Sequence, residues 1–397
     1  MDTRTLLEWS AKYHTANYGS RAPICLVRGD GVRVWDSDGR EYLDFGSGIA
    51  VTSLGHCHPR VTGAIQEAAA TLLHVSNLYH SPPQIHLAKL LCEHSFADRV
   101  FFANSGAEAN EAAMKIARKY ARERLSDDRF EIVATVNSFH GRTMATVTAT
   151  GQEKYQHGFE PLLPGVKHVP YNDLRAMARA IDNRTAAVLV EPIQGEGGVH
   201  VASEGYLAGL RKLCDDSGAL LIFDEIQTGV GRTGRLWCYE HWGVEPDIMT
   251  VAKALANGVP MGAMLTREDV ASVFTAGTHG STFGGTPFVA SVALATLTTM
   301  IDEKIPDHAA RMGRYMMEQL ERLPSQGFKV RGVRGKGLLI GIELEGLAGP
   351  VVDACRDAGL LVLSAGERVL RLAPPLIVTE EHCRRALDTI GEALRKL

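Results

Sequence analysis

An unbroken apolar run, Leu220-Leu221-Ile222-Phe223, stops on two adjacent carboxylates, Asp224 and Glu225. A second run, Ile248-Met249-Thr250-Val251-Ala252, stops on Lys253. A third, Val100-Phe101-Phe102-Ala103, leads through Asn104 into the small residues Ser105, Gly106 and Ala107 and a long stretch rich in Ala, Glu and Lys. Strands buried on both faces read as continuous apolar runs. The residues that end such runs project at the carboxyl edge of a parallel sheet, where ligands of these sheets bind. A lysine desolvated there shifts towards the neutral, nucleophilic amine. Backbone N–H groups at a helix start attract a phosphate dianion.

Three chemistries can end an apolar strand in acid. A P-loop nucleotidase would need GxxxxGK[ST] to cradle phosphates, and the chain's Gly335-Lys336 is followed by Gly337. A dinucleotide fold is suggested by Gly229, Gly231 and Gly234, which satisfy GxGxxG. Those glycines should join strand directly to helix, yet Glu225-Ile226-Gln227-Thr228 intervenes and no long amphipathic helix follows. The third chemistry is pyridoxal phosphate. It needs a lysine for its aldehyde, an acid against its ring nitrogen and anion-binding donors for its phosphate. Lys253, Asp224 and Ser105-Gly106-Ala107 supply all three at strand ends. Each alone has a plainer reading: a surface lysine, or a Ser/Gly helix start with a capping role. Their joint placement favours chemistry.

Bulk properties narrow the field. At 397 residues the chain exceeds one small core. Its formal net charge of -4 argues against nucleic acid as main partner. The seven cysteines are dispersed without a CxxC pair, which suits buried free thiols in a reducing compartment. No apolar run approaches the roughly 20 residues of a membrane span, and the first residues do not read as a secretory signal. A cytoplasmic protein is expected.

The elements that must position these groups follow from the pattern. VRVW and EYLDF flank the turn DSDG and predict a hairpin. From about residue 59, helix-like stretches alternate with the short runs RVFFAN, EIVATV, AAVLVEP, LLIFDE, IMTVAK and GAMLT. Alternation of this kind predicts an α/β fold with a mostly parallel central sheet covered by helices. Beyond residue 300, two helical stretches precede GKGLLIGIEL, GLLVLSAG and VLRLAPPL, the strands of a smaller α+β unit. The last helix places Cys383, Ala386, Leu387, Ile390 and Leu394 on one face behind Thr379 as N-cap. The expected division is residues 1–55 packing on the small domain, 56–300 as the large domain and 301–397 as the small one.

With these residues in view, the chain resembles the class III (subgroup II) pyridoxal-phosphate aminotransferases, and within them the acetylornithine branch. The likeness runs nearly end to end, through DFGSGIAVTSLGHCHP, FFANSGAEANEAAMKIAR, SFHGRT, LVEPIQGEGGV, LLIFDEIQTGVGRTG, DIMTVAKALANGVPMGA, HGSTFGGTP, VRGKGLLIGIEL and VLRLAPPL. It implies the fold of type I pyridoxal-phosphate transferases. It also implies Lys253 as the lysine bonded to the cofactor and Asp224 at the pyridine nitrogen. Gln227 would lie near the phenolic oxygen, Ser105, Gly106 and Ala107 at the phosphate, and Phe139 on the ring face. Thr282 would reach the phosphate of a neighbouring subunit, which implies a homodimer with shared sites.

For substrates, the resemblance makes Arg142 and Arg371 carboxylate clamps, Glu196 a gate that covers or releases Arg371, and Ser281 a contact to the donor's tail. The implied reaction passes the δ-amino group of acetylornithine to 2-oxoglutarate, a step of arginine biosynthesis. Other ω-amines (succinylornithine, ornithine, 4-aminobutyrate, acetyl-lysine) and a non-transaminating epimerase or aminomutase remain open on the same residues. The correspondence thins near the N-terminus, so Tyr18 and Arg21 carry no assignment. His56, Cys57 and His58 look like metal ligands, but adjacent residues in one turn rarely converge and no complementary cluster follows. They read as a structural loop.

Overall fold

The computed structural model describes residues 2–19 and 21–396. Its largest sheet has seven strands. In chain order these are β1 (Arg99–Ala103), β2 (Glu131–Thr135), β3 (Val166–Val169), β4 (Thr185–Val190), β5 (Leu220–Asp224), β6 (Ile248–Val251) and β7 (Gly262–Thr266). Across the sheet they lie in the order β1-β7-β6-β5-β4-β2-β3. From β3 to β6 every pairing is parallel. Only β7 runs against its neighbours β6 and β1. The six apolar runs all form strands. β3 is an element the apolar pattern did not reveal: Lys167 and His168 interrupt it, as an edge strand with one wet side allows.

Alternation along β5 shows why the apolar run is continuous. Leu221 and Phe223 enter one hydrophobic cluster, Leu220 and Ile222 the other. The second cluster is roofed by the helix Gly106–Arg124, which turns Ala112, Ala113, Ile116 and Ala117 inward. Because side chains alternate along a strand, Asp224 faces that helix, whereas Glu225 is directed to the opposite layer.

Two further four-stranded sheets lie outside this core. In one, the predicted hairpin Arg33–Asp36 and Glu41–Asp44 is extended by Leu26–Asp30. Its turn is held by Asp36, whose carboxylate accepts from the N–H groups of Asp38 and Arg40. The short strand Leu360–Leu361 pairs in parallel with Glu41–Asp44, so chain segments from both ends share one sheet. The other sheet is antiparallel, in the order Val330–Lys336, Leu339–Leu344, Val369–Leu372, Leu363–Ala365. The final helix, Glu380–Arg395, starts behind Thr379, whose hydroxyl accepts from His382 N. Among the described residues, no helix is long and apolar enough to cross a membrane.

Arg232 ties these parts together. It is fully buried and donates to the carbonyls of Leu338 and Pro374 and to Ser53 Oγ, at 3.1, 2.5 and 3.0 Å. Burial lowers its guanidinium to about 9, against the pull of Asp44. Arg232→Met would leave two buried carbonyls without donors. It should reduce the free energy of unfolding by about 2–5 kcal/mol, read as a lower urea midpoint than that of the parent protein.

Candidate active site

Apart from Thr282, the cofactor-binding residues expected from sequence meet in one cavity of about 390 Å³. Its wall includes Ser105, Gly106 and Ala107 after β1, Phe139 and Arg142 after β2, Glu191 and Glu196 after β4, Asp224 and Gln227 after β5, and Lys253 after β6. β7 enters from the same edge because it is antiparallel, so Val259, Pro260 and Met261 close the cavity from its other end. The parallel strands deliver their carboxyl ends and β7 its amino end. The directions of the strands thus bring six strand ends, on five connections, to one hollow.

Asp224 is 3% exposed. Its Oδ2 accepts from Asn110 Nδ2 and pairs with His140 Nδ1, both at 2.8 Å, while Oδ1 accepts from Ile226 N at 3.0 Å. Asn110 is oriented in turn: its Oδ1 accepts from Thr250 Oγ1 at 2.7 Å, and its Nδ2 also donates to His140 O. A buried carboxylate oriented by this many donors is the complement of a cationic heterocycle. The paired acid Glu225 has another task. It accepts from the N–H groups of Cys238 and Tyr239 at 2.6 and 2.7 Å. Burial pushes its carboxyl up to about 8 despite those donors. The two acids that end the apolar run thus serve opposite faces of the sheet, one at the cavity and one in the packing behind it.

Lys253 opens a short 3-10 turn, Lys253–Ala256, with φ of 46°. A non-glycine residue in this left-handed region is strained and persists where neighbours over-determine it. Here Ala254, Leu255 and Ala256 are buried and leave the turn no freedom. Burial lowers the Lys253 ammonium from 10.5 to about 8; Arg371 acts in the same direction, Glu196 and Asp224 against it.

Ser105 caps the helix Gly106–Arg124, its hydroxyl accepting from Glu108 N at 3.2 Å. The first N–H groups of a helix have no internal acceptor, and these open on the cavity. A Cβ on Gly106 would stand 2.7 Å from Ile226 Cδ1, so any larger residue there would have to displace the Ile226 side chain. The donor set therefore fits pyridoxal phosphate: helix N–H groups for the dianion, a charged acid for the ring nitrogen, and a low-pKa amine for the aldehyde.

Arg371 is 2% exposed, and its Nη1 pairs with Glu196 Oε1 at 2.6 Å and donates to Gln227 Oε1 at 3.1 Å. Burial raises the Glu196 carboxyl, but Arg371 outweighs it and holds the group below its ordinary range. Arg142 is exposed at the cavity wall, its guanidinium carbon 3.9 Å from the centroid of the Tyr155 ring and 5.6 Å from that of Phe139. Ser281 and Thr282 do not line the cavity of this chain. Ser281 sits behind it and accepts from Asn104 Nδ2 at 3.1 Å, while Thr282 is exposed. Tyr18 and Arg21 stack on each other at 5.3 Å beside a separate hollow in the N-terminal segment.

Asn110, His140, Glu191 and Tyr155 were not anticipated. Glu191 lines the cavity and accepts from Phe139 N at 3.0 Å and Gly195 N at 3.3 Å. Burial, and Asp224 beside it, push its carboxyl well above the usual range. A signal existed only for Glu191, an acid ending the run AAVLV. His56 turns to Asp44 at 2.9 Å. Among the described residues no group of three or more His, Cys, Asp and Glu could hold a metal ion. The glycines 229, 231 and 234 lie in turns rather than at a strand-to-helix junction.

Comparison with known proteins agrees with this geometry. The family model for class-III aminotransferases matches residues 15–394. The chain is 47% identical to the acetylornithine aminotransferase of Methanocaldococcus jannaschii, with all of both chains covered. It is 48% identical to a succinylornithine transaminase of Salmonella paratyphi A, covering 95% of this chain and 93% of that one. A solved ornithine aminotransferase from Toxoplasma gondii, with partial occupancy of pyridoxal phosphate at its active site, superposes with a TM-score of 0.96. It is 37% identical and covers 100% of this chain and 94% of that one. The chain belongs to the class-III aminotransferases, and it is a pyridoxal-phosphate-dependent enzyme of small-molecule substrates.

The lowered lysine predicts a pH profile. The free amine is the reacting form, so attachment of pyridoxal phosphate to the apo-protein should accelerate as pH rises, with a midpoint of about 8. Lys253→Ala should abolish this phase. A midpoint near the ordinary 10.5 would show a lysine still solvated.

Proposed function

We propose that the protein transfers the δ-amino group of N2-acetyl-L-ornithine to 2-oxoglutarate, yielding N-acetyl-L-glutamate 5-semialdehyde and L-glutamate in arginine biosynthesis. The observation that carries this reading is the common cavity of Lys253 and Asp224 with the Arg371–Glu196 pair at its side. Relatives named for acetylornithine support the choice of donor.

Pyridoxal phosphate, when bound, supplies the electron sink for the bond broken at the amine-bearing carbon. Asp224 keeps a negative charge against the ring nitrogen and so favours its protonated form. Ser105, Gly106 and Ala107 hold the phosphate, Phe139 covers a ring face and Gln227 stands at its polar edge. Lys253 Nζ removes the proton from the δ-carbon of the donor, a role suited to an amine whose pKa lies near working pH. Arg142 binds the donor's carboxylate in a planar fork, with Ser281 near its tail. Glu196 covers Arg371 while the donor, which lacks a carboxylate on its reacting carbon, is bound. It releases Arg371 for the carboxylate of 2-oxoglutarate, so one pocket serves both.

Succinylornithine is the second reading, favoured by the relative that bears that name. Initial rates with acetylornithine, succinylornithine, ornithine, 4-aminobutyrate and acetyl-lysine at equal concentration test the choice. Acetylornithine should give the highest kcat/KM; a last place for it would end the assignment. The cysteines, all free thiols, suit a reducing compartment, and the cytoplasm is the workplace in this reading.

The working unit in this reading is a homodimer, with residues 1–55 packed on a small domain of residues 301–397 and 56–300 as the large domain. Leu78, Tyr79 and Phe283 are 81%, 71% and 61% exposed. Asn77 joins their two segments through the carbonyls of Ser281 and Gly284. An apolar surface of this kind marks an interface, and a second copy seated there would bring Thr282 to the neighbouring phosphate. Tyr79→Asp should shift sedimentation towards monomer and reduce retained cofactor. A fully dimeric, cofactor-loaded variant would place the interface elsewhere.

A further inference from the structure

The turn that carries Glu196 is held from both sides, and the hold on its far side comes from the sheet that carries Arg371. The turn joins the short antiparallel strands Ile193–Gln194 and His200–Val201. Its first side is crowded into place. Gly195 N donates to Glu191, and a Cβ on Gly195 would stand 2.3 Å from Gln227 Oε1. A Cβ on Gly197 would stand 2.5 Å from the carbonyl oxygen of Asn137. On the far side Gly198, with φ of 124°, presents its carbonyl to Arg334 Nε at 2.9 Å. Arg334 is aimed by an ion pair between its Nη1 and Glu343 on the adjoining strand. That strand, Leu339–Leu344, also pairs with Val369–Leu372, where Gly341 stands opposite Arg371.

We propose that Arg334 is a positioning residue for the Glu196 gate. By gripping Gly198 it registers the Glu196 turn on the same rigid sheet that holds Arg371. The gate then opens by rotation of the Glu196 side chain while its backbone stays fixed. This rests on the gate reading above and assigns the residue that makes it work. A turn released from Arg334 leaves Glu196 spending less time on Arg371. The uncovered guanidinium then attracts any carboxylate offered, including the donor's own in a non-productive pose. Donor turnover suffers while the acceptor gains.

The test uses Arg334→Met and Arg334→Lys holoenzymes, each also combined with Glu196→Gln. Half-reactions are followed by absorbance with the best donor of the panel and, separately, with 2-oxoglutarate. Arg334→Met should raise the donor KM about threefold to tenfold, the scale of one charge-assisted hydrogen bond partly lost. The KM for 2-oxoglutarate should stay level or fall. Arg334→Lys, which keeps the charge without the fork, should shift both in the same sense by less. With Glu196→Gln present, neither Arg334 change should move the ratio of the two KM values further. Equal losses of kcat on both sides, with the KM ratio unmoved, would reduce Arg334 to a structural brace and overturn the proposal. So would a ratio that shifts as strongly in the Glu196→Gln background. If Glu196→Gln alone leaves the ratio unchanged, the gate itself fails and this inference falls with it. Should Arg334→Met not retain cofactor, Glu343→Gln, which only frees the aim of Arg334, must show the same smaller shift as Arg334→Lys or the proposal is lost.

Discussion

A carboxyl group in a dry crevice is costly unless donors surround it, and the architecture of this protein is arranged around one such group, that of Asp224. Its donors come from separate elements: Asn110 from a helix, His140 from a loop, and Ile226 N from its own chain just beyond the strand. Asn110 is itself aligned by Thr250 on the neighbouring strand, which leads on to Lys253. The acid is therefore hydrogen-bonded, through Asn110, to the strand that ends just before Lys253. Asn110 also lies about one turn into the helix whose first N–H groups face the cavity, since an α-helix has 3.6 residues per turn. One rigid rod thus sets the distance between the anion-binding end of the site and its acid.

Around that fixed centre the substrate-facing parts are tuned differently. Glu225 and Arg232 are buried groups whose bonds run mainly to backbone, and they hold segments of the chain in place. Glu196 and Arg371 are paired with each other, so their bond is exchangeable with any ligand that brings a carboxylate. Buried ion pairs contribute little net stability because desolvation offsets attraction. That near balance suits the opening and closing proposed for this contact, and the glycines flanking Glu196 allow its turn to lie flat against Gln227 and Asn137.

The strand-borne chemistry was legible in the sequence because each functional group ends an apolar run. Lys253, Asp224 and Ser105 needed no coordinates to be placed at one edge of a sheet. Asn110 and His140 were illegible for a physical reason: each is a polar residue within an ordinary local pattern, and only the fold brings them to Asp224. Tyr155 is likewise a solitary aromatic until it is found against Arg142. β3 escaped notice because edge strands need not be apolar throughout. The glycine triplet at 229, 231 and 234 shows the opposite hazard, a motif whose spacing was right and whose context was not.

The parallel pairing of Leu360–Leu361 with Glu41–Asp44 has a consequence for how the molecule is made. The hairpin is synthesised well before the segment that completes its sheet, because the large domain lies between them in the chain. Until that segment arrives, one border of the ribbon has open amide and carbonyl groups, a condition that invites pairing with a foreign strand.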